Sequence, residues 1–220
     1  MAKYLQNLQT YFENDDVCET DTDSSNSDGS RDIINEKLKS TVLTDPIKLN
    51  KIFYLLPVSV AETVTAGALS NTLCSELGSS SFFLGGIIAY NMETQRTLLN
   101  VDADYAEKNN FANPFTTLSM AKNITKIFKS RIGLSTAGYS LPLFRKEDLT
   151  NGKCEINVKI PYAYICIYDS KTDFHIMYRI TNDDYTISGN QRVQRTQMKF
   201  KIATACKKIF YDYCLRQSSI

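Results

Sequence analysis

The chain has 220 residues, of which 43% are apolar, 22% charged and 11% aromatic, with no Trp. Such a chain buries a real core as one domain with an appendage, which excludes disorder throughout. The formal net charge is +1, so bulk charge names no partner. Apolar runs such as 82–90 fall far short of the roughly 20 residues of a bilayer span, and no membrane contact is expected. One His and six Cys without a C-x-x-C pair give no tetrahedral zinc set, so neither metal nor cofactor is expected. The thiols are expected to be reduced, and Cys206 reads as a small core hydrophobe. No apolar signal core follows Met1. The expected placement is cytoplasmic or nuclear.

Charge divides the chain in two. Residues 13–32 hold eight acids and one base, whereas residues 33–220 carry a net +7. The stretch Asp21-Thr22-Asp23-Ser24-Ser25-Asn26-Ser27-Asp28-Gly29-Ser30 has almost nothing to bury and is predicted to be disordered. Its serines read either as phosphorylation sites or as parts of a solvated linker. Ahead of it, Leu5, Leu8 and Phe12 recur at helical spacing. Twelve residues do not hold a helix alone in water, so this stripe needs a surface. It is either a docking peptide for a protein partner or a segment that packs on its own domain. Residues 1–32 are therefore assigned as a short amphipathic segment with an acidic tether, and 33–220 as the folded domain.

Within that domain, Ile33 to Leu38 read as a helix that closes before Asp45-Pro46. A mostly apolar run, 52–60, reads as a buried strand with Pro57 an irregularity. Thr65 to Leu77 predict a helix with Leu69, Leu73 and Leu77 on one face. A turn at 78–81 leads to a strand over 82–90. Pro114 to Phe128 predict a helix with Leu118, Ile124 and Ile127 inward, and 131–135 a short strand ending in a Gly/Pro loop. Strands over 162–168 and 174–180 form a hairpin. A closing helix over 191–215 carries Ile202, Cys206, Ile209 and Tyr213 on one stripe. Buried strands alternating with helices predict a three-layer α/β/α sandwich on a mixed, mostly parallel sheet.

Several segments carry a family resemblance. Ala61-Glu62-Thr63-Val64-Thr65-Ala66-Gly67 resembles the A-E-S-C-T-G-G signature of the CinA C-terminal family, which comprises nicotinamide mononucleotide deamidases and competence-damage-inducible proteins. The run from Gly78 to Tyr90 is similar to its G-S-S-x-x-F-x-G-G-x-x-x-Y, and Ser135 to Pro142 to its S-T-T-G-Y-A-G-P loop. Pro161-Tyr162-Ala163-Tyr164-Ile165 resembles its P-x-G-x-x strand start, and Arg192 and Arg195 its final R-x-x-R helix. The likeness spans roughly 33–215. It implies a serine amidohydrolase fold in which Ser attacks a carboxamide, assisted by Tyr and Lys. Here the Ser position holds Thr63, the Tyr position Tyr90 and the Lys position Gln95. Thr can be a nucleophile but needs a base, which neither Gln95 nor the permanently charged Arg96 supplies. His175 reads as a structural histidine rather than a replacement base.

The resemblance also implies a nucleotide held near small-residue turns, which makes Gly67 and Gly138 ligand-binding candidates. The departures at Ala66 and at Ser140-Leu141 crowd those turns. Thr63 and Thr65 then read as capping hydroxyls for the following helix. The basic residues of the closing helix spread around it, so nucleic acid is not an expected partner. Tyr162, Tyr164 and Tyr168 share one strand face and read as packing. The expected function is a non-catalytic CinA-like binding module or adaptor that meets a protein partner through Leu5, Leu8 and Phe12, with a homo-oligomer left open. The alternative is a deamidase with Thr63 as nucleophile and Tyr90 as proton carrier.

Overall fold

Strand β1 (Val58–Glu62) reads Val-Ser-Val-Ala-Glu and is buried at every residue, as a strand covered on both faces must be. In the computed structural model, which describes residues 56–149 and 152–217, β1 lies between two parallel neighbours, β2 (Phe83–Ile88) and β3 (Ile132–Tyr139). The order of the five-stranded sheet is β2-β1-β3-β6-β7. β6 (Tyr162–Asp169) pairs antiparallel with both β3 and β7 (Phe174–Thr181), so it alone runs against the other strands. Between β3 and β6 the chain forms a separate two-stranded sheet, β4 (Leu143–Leu149) and β5 (Gly152–Val158). The predicted helix at 33–38, the stripe Leu5, Leu8, Phe12 and the acidic tether lie outside the described residues.

Among the described residues, five α-helices flank the sheet. On one face sit α1 (Ala68–Cys74) and the 27-residue α5 (Gln191–Gln217). Leu69, Leu73, Ile202, Cys206, Ile209 and Phe210 meet Val58, Val60, Leu134, Ile165 and Ile167 there. On the other face α4 (Pro114–Phe128) presents Met120 and Ile124 to Ala61 and Ala137. Two short helices, α2 (Met92–Leu99) and α3 (Ala103–Lys108), complete that layer through Leu99 and Ala106. The result is the three-layer α/β/α arrangement with a mixed sheet. No helix among the described residues is long and apolar enough to cross a membrane.

Several elements differ from their sequence-based bounds for local reasons. α1 stops at Cys74, with Gly78 in the left-handed region just beyond, so Leu77 lies past the helix and is 83% exposed. In α4 the inward stripe is Thr117, Met120, Ala121 and Ile124, and Ile127 faces out. β3 runs four residues beyond Ser135, through the segment read as a Gly/Pro loop, because Thr136 to Tyr139 pair in register with Ile165 to Tyr162.

At the edge where β1 begins, Asp169 is fully buried and accepts from the Arg131 guanidinium (2.8 Å), the Tyr213 hydroxyl (2.8 Å) and the Lys171 amide (2.9 Å). This joins α5 to the ends of β3 and β6. Burial alone would raise the Asp169 pKa; these donors outweigh it and hold the carboxyl below its usual range.

Candidate functional site

The residues singled out by the family motifs converge where β1, β2 and β3 end. Glu62, the last residue of β1, pairs with Thr136 on one side and Ile88 on the other. The ladder continues one step past the strand: the Ala89 amide donates to the Glu62 carbonyl (2.8 Å) and the Thr63 amide to the Thr136 carbonyl (2.9 Å). Thr63 and Tyr90 thus leave adjacent strands at the same edge.

The turn that follows is organised by a carboxylate. Ala66 and Gly67 have φ of 49° and 95°, a left-handed pair that lets the chain double back; Gly adopts it without strain. The reversal aims the start of α1 at the fully buried Glu62. One Glu62 oxygen accepts from the amides of Gly67 (2.9 Å) and Leu69 (3.1 Å). The other accepts from the Ser70 amide (2.8 Å) and hydroxyl (2.5 Å). The orphan donors of a helix start are thereby satisfied by the chain's own anion. This corrects the expectation that Thr63 and Thr65 cap α1. Their hydroxyls turn to β3 instead: Thr63 donates to the Thr136 carbonyl (3.1 Å), and Thr65 shares a hydrogen bond with the Thr136 hydroxyl (2.6 Å). The Glu was visible in the motif; its use was hidden because the strand-to-helix reversal is a tertiary feature.

Tyr90 is 57% exposed, and its hydroxyl accepts from the Arg195 guanidinium (2.6 Å) on α5. Gln95 is buried in α2, a helix capped by Asn91. Arg96, on the exposed side of α2, is engaged by Glu93 (2.7 Å). His175 pairs with Tyr168 at the opposite edge, about four residues and three strand spacings from Thr63, or on the order of 20 Å. It is remote from the nucleophile position. Gly138 pairs with Ala163, and a Cβ there would stand 2.3 Å from the Tyr162 carbonyl oxygen. The close approach of β3 and β6 accounts for this glycine.

The tyrosines beside it are packed. Tyr162 donates to the Ala112 carbonyl (3.1 Å) and lies edge-on to Tyr139 and Tyr164. Arg179 stands 4.9 Å over the Tyr162 ring, and burial pushes the Tyr162 hydroxyl up to about 12. A groove of about 290 Å³ lies along the same edge, between the base of the β4–β5 hairpin at Pro142 and Ile160 and the β7–α5 loop at Asp183 and Ile187. It does not include Thr63, Tyr90 or Gln95.

This architecture is a three-layer α/β/α domain with its motif residues gathered where β1, β2 and β3 end. The sequence profile of the CinA C-terminal domain matches residues 50–173, more than half of the chain, and the chain belongs to that family. A CinA-like protein of Pseudothermotoga lettingae is 36% identical over 85 residues, which is 39% of this chain and 21% of that protein. The chain thus spans about a fifth of that relative's length. A Mycoplasma genitalium protein is 35% identical over 120 residues, or 54% of this chain and 69% of its own. Among solved structures, competence damage-inducible protein A of Klebsiella pneumoniae superposes with a TM-score of 0.54 at 14% identity, covering 74% of this chain and 96% of that one. The competence/damage inducible protein CihA of Agrobacterium tumefaciens gives 0.52 at 16% identity, covering 76% and 99%. These two likenesses concern the fold.

Proposed function

We propose that this chain is a CinA-like domain without amidohydrolase activity, retained as a protein-binding module. The observation that carries the reading is the state of Thr63: its hydroxyl donates to the Thr136 carbonyl, and Gln95 stands where the family motif has Lys. A hydroxyl attacks a carboxamide only as its proton is taken by a base. Thr63 gives its proton to a carbonyl that cannot remove it. Gln95 has no basic nitrogen, Arg96 stays charged beside Glu93, and His175 lies at the other edge. Tyr90 accepts from Arg195, whereas the Thr63 hydroxyl is engaged by Thr136, so the two are not hydrogen-bonded as nucleophile and proton acceptor. The helix-start donors that could meet an anion at Gly67 are already occupied by Glu62. With chemistry and anion capture both curtailed, the domain serves as a scaffold, and the stripe Leu5, Leu8, Phe12 supplies the contact to a protein partner. Nicotinamide mononucleotide incubated with the full chain is the test. Ammonia should stay at the no-enzyme background. Release that disappears in Thr63→Ala would establish the deamidase reading instead, with Tyr90 as the next residue to change.

A further inference from the structure

Among the described residues, the β2 edge of the main sheet is apolar. β2 is an edge strand, and its outward residues Leu84 and Ile88 are 43% and 52% exposed. Tyr90, two residues past Ile88, is 57% exposed. The segment 83–90 contains no Lys, Pro or acid, so a bulge at Leu84, between the partners of Val58 and Ser59, is the device that interrupts this edge. At its end the Tyr90–Arg195 hydrogen bond joins it to a basic face of α5. Arg192, Arg195 and Lys199 recur at i, i+3 and i+7 and so lie on one side of that helix. Its single acid, Asp212, is roughly five turns further along. The surface therefore reads apolar, then basic.

The chain's own N-terminal part reads apolar, then acidic. Leu5, Leu8 and Phe12 are followed directly by the eight acids and one base of residues 13–32. We infer that this segment rests on its own domain, with Leu5, Leu8 and Phe12 against Leu84 and Ile88 and the acids along Arg192, Arg195 and Lys199. Reach is ample. The described chain starts at Leu56, and the stretch 33–55 spans up to roughly 75 Å when extended. A five- to eight-residue strand is about 17–27 Å long. Three apolar side chains offset little more than the ordering of the segment, so binding from free solution would be weak. The tether replaces a bimolecular encounter with a local one. The resting segment covers Tyr90 and the edge beside it, so a partner must compete for it. This contact does not depend on whether Thr63 is chemically competent.

Photo-crosslinking tests it, with p-benzoylphenylalanine placed at Phe12 of the full chain in dilute solution. Adducts should run at monomer size and map to residues 83–90 or 191–200. They should fall about tenfold in the triple variant Arg192→Glu, Arg195→Glu, Lys199→Glu, and similarly in high salt, which screens exposed charges. Changing Asp21, Asp23 and Asp28 to Asn leaves the folded domain untouched and should give the same loss. Changing those three to Lys in the triple variant should restore the adduct. The inference fails if adducts map elsewhere on the domain, form only at dimer size, or do not exceed those of the urea-unfolded chain. It also fails if neither set of charge changes alters the yield.

Discussion

Two buried carboxylates sit at opposite edges of the same sheet, and they hold the molecule together by different means. Glu62 is surrounded by neutral donors, three amides and one hydroxyl, all from a turn of eight residues. Asp169 faces a guanidinium, a phenol and an amide drawn from three separate parts of the chain. The first builds a local turn and occupies the amides at the start of α1. The second ties distant elements and carries a titratable charge pair. The end of the sheet where Thr63 and Tyr90 emerge is thus satisfied by a local turn, and the opposite end is braced by long-range contacts.

Substitutions should separate the two roles. Glu62→Ala leaves three amides at the start of α1 without their acceptor; at about 1–3 kcal/mol per buried unsatisfied group, shared with entering water, a loss of about 3–5 kcal/mol is expected in urea unfolding. Asp169→Asn removes the charge opposite Arg131, which is partly exposed and hence partly screened, so about 2–3 kcal/mol is expected. The pH dependence distinguishes them further. Because the native Asp169 carboxyl titrates below its usual range, its stabilisation is complete above the unfolded value of about 3.9 and is lost as pH falls through the native value. Asp169→Asn should therefore flatten the stability profile below about pH 4. Gly138→Ala forces a methyl against the Tyr162 carbonyl and should cost about 1–3 kcal/mol. Nicotinamide mononucleotide should leave the melting temperature of wild type unchanged, which sets this structural role of Gly138 apart from a ligand-binding one. The smallest effect belongs to Tyr90→Phe, whose solvent-exposed bond to Arg195 should be worth less than about 0.5 kcal/mol.

Much of the layered fold was legible from periodicity. α4 matched its predicted bounds because Asn113 caps it, Pro114 occupies the first turn and Lys129 closes it in the left-handed region. β6 and β7 each run one residue past their predicted ends, and were legible because apolar runs flank a polar four-residue turn, 170–173. Short polar helices were not legible: α2 and α3 contain Thr, Gln, Arg, Asp and Glu, although Asn91 and Asp102 are readable caps. The β4–β5 hairpin was also missed, since Arg145-Lys146-Glu147-Asp148 reads as loop; its pairing is set by the partner strand rather than by its own alternation. At the candidate site Thr63 follows directly on β1 and Tyr90 lies two residues past β2, a neighbourhood that only the β1–β2 pairing reveals. The role of Glu62 was not legible, because it depends on how the backbone reverses at Ala66-Gly67.

The proposal that this domain keeps the CinA fold but lacks the base for amide hydrolysis is tested most directly by ammonia release from nicotinamide mononucleotide, measured side by side for wild type, Thr63→Ala and the double variant Thr63→Ser, Gln95→Lys. A Lys at the buried Gln95 position would be desolvated, which lowers its pKa and favours the basic amine. The account predicts background release from wild type and Thr63→Ala, and release above background from the double variant. Turnover by wild type that Thr63→Ala abolishes would contradict it.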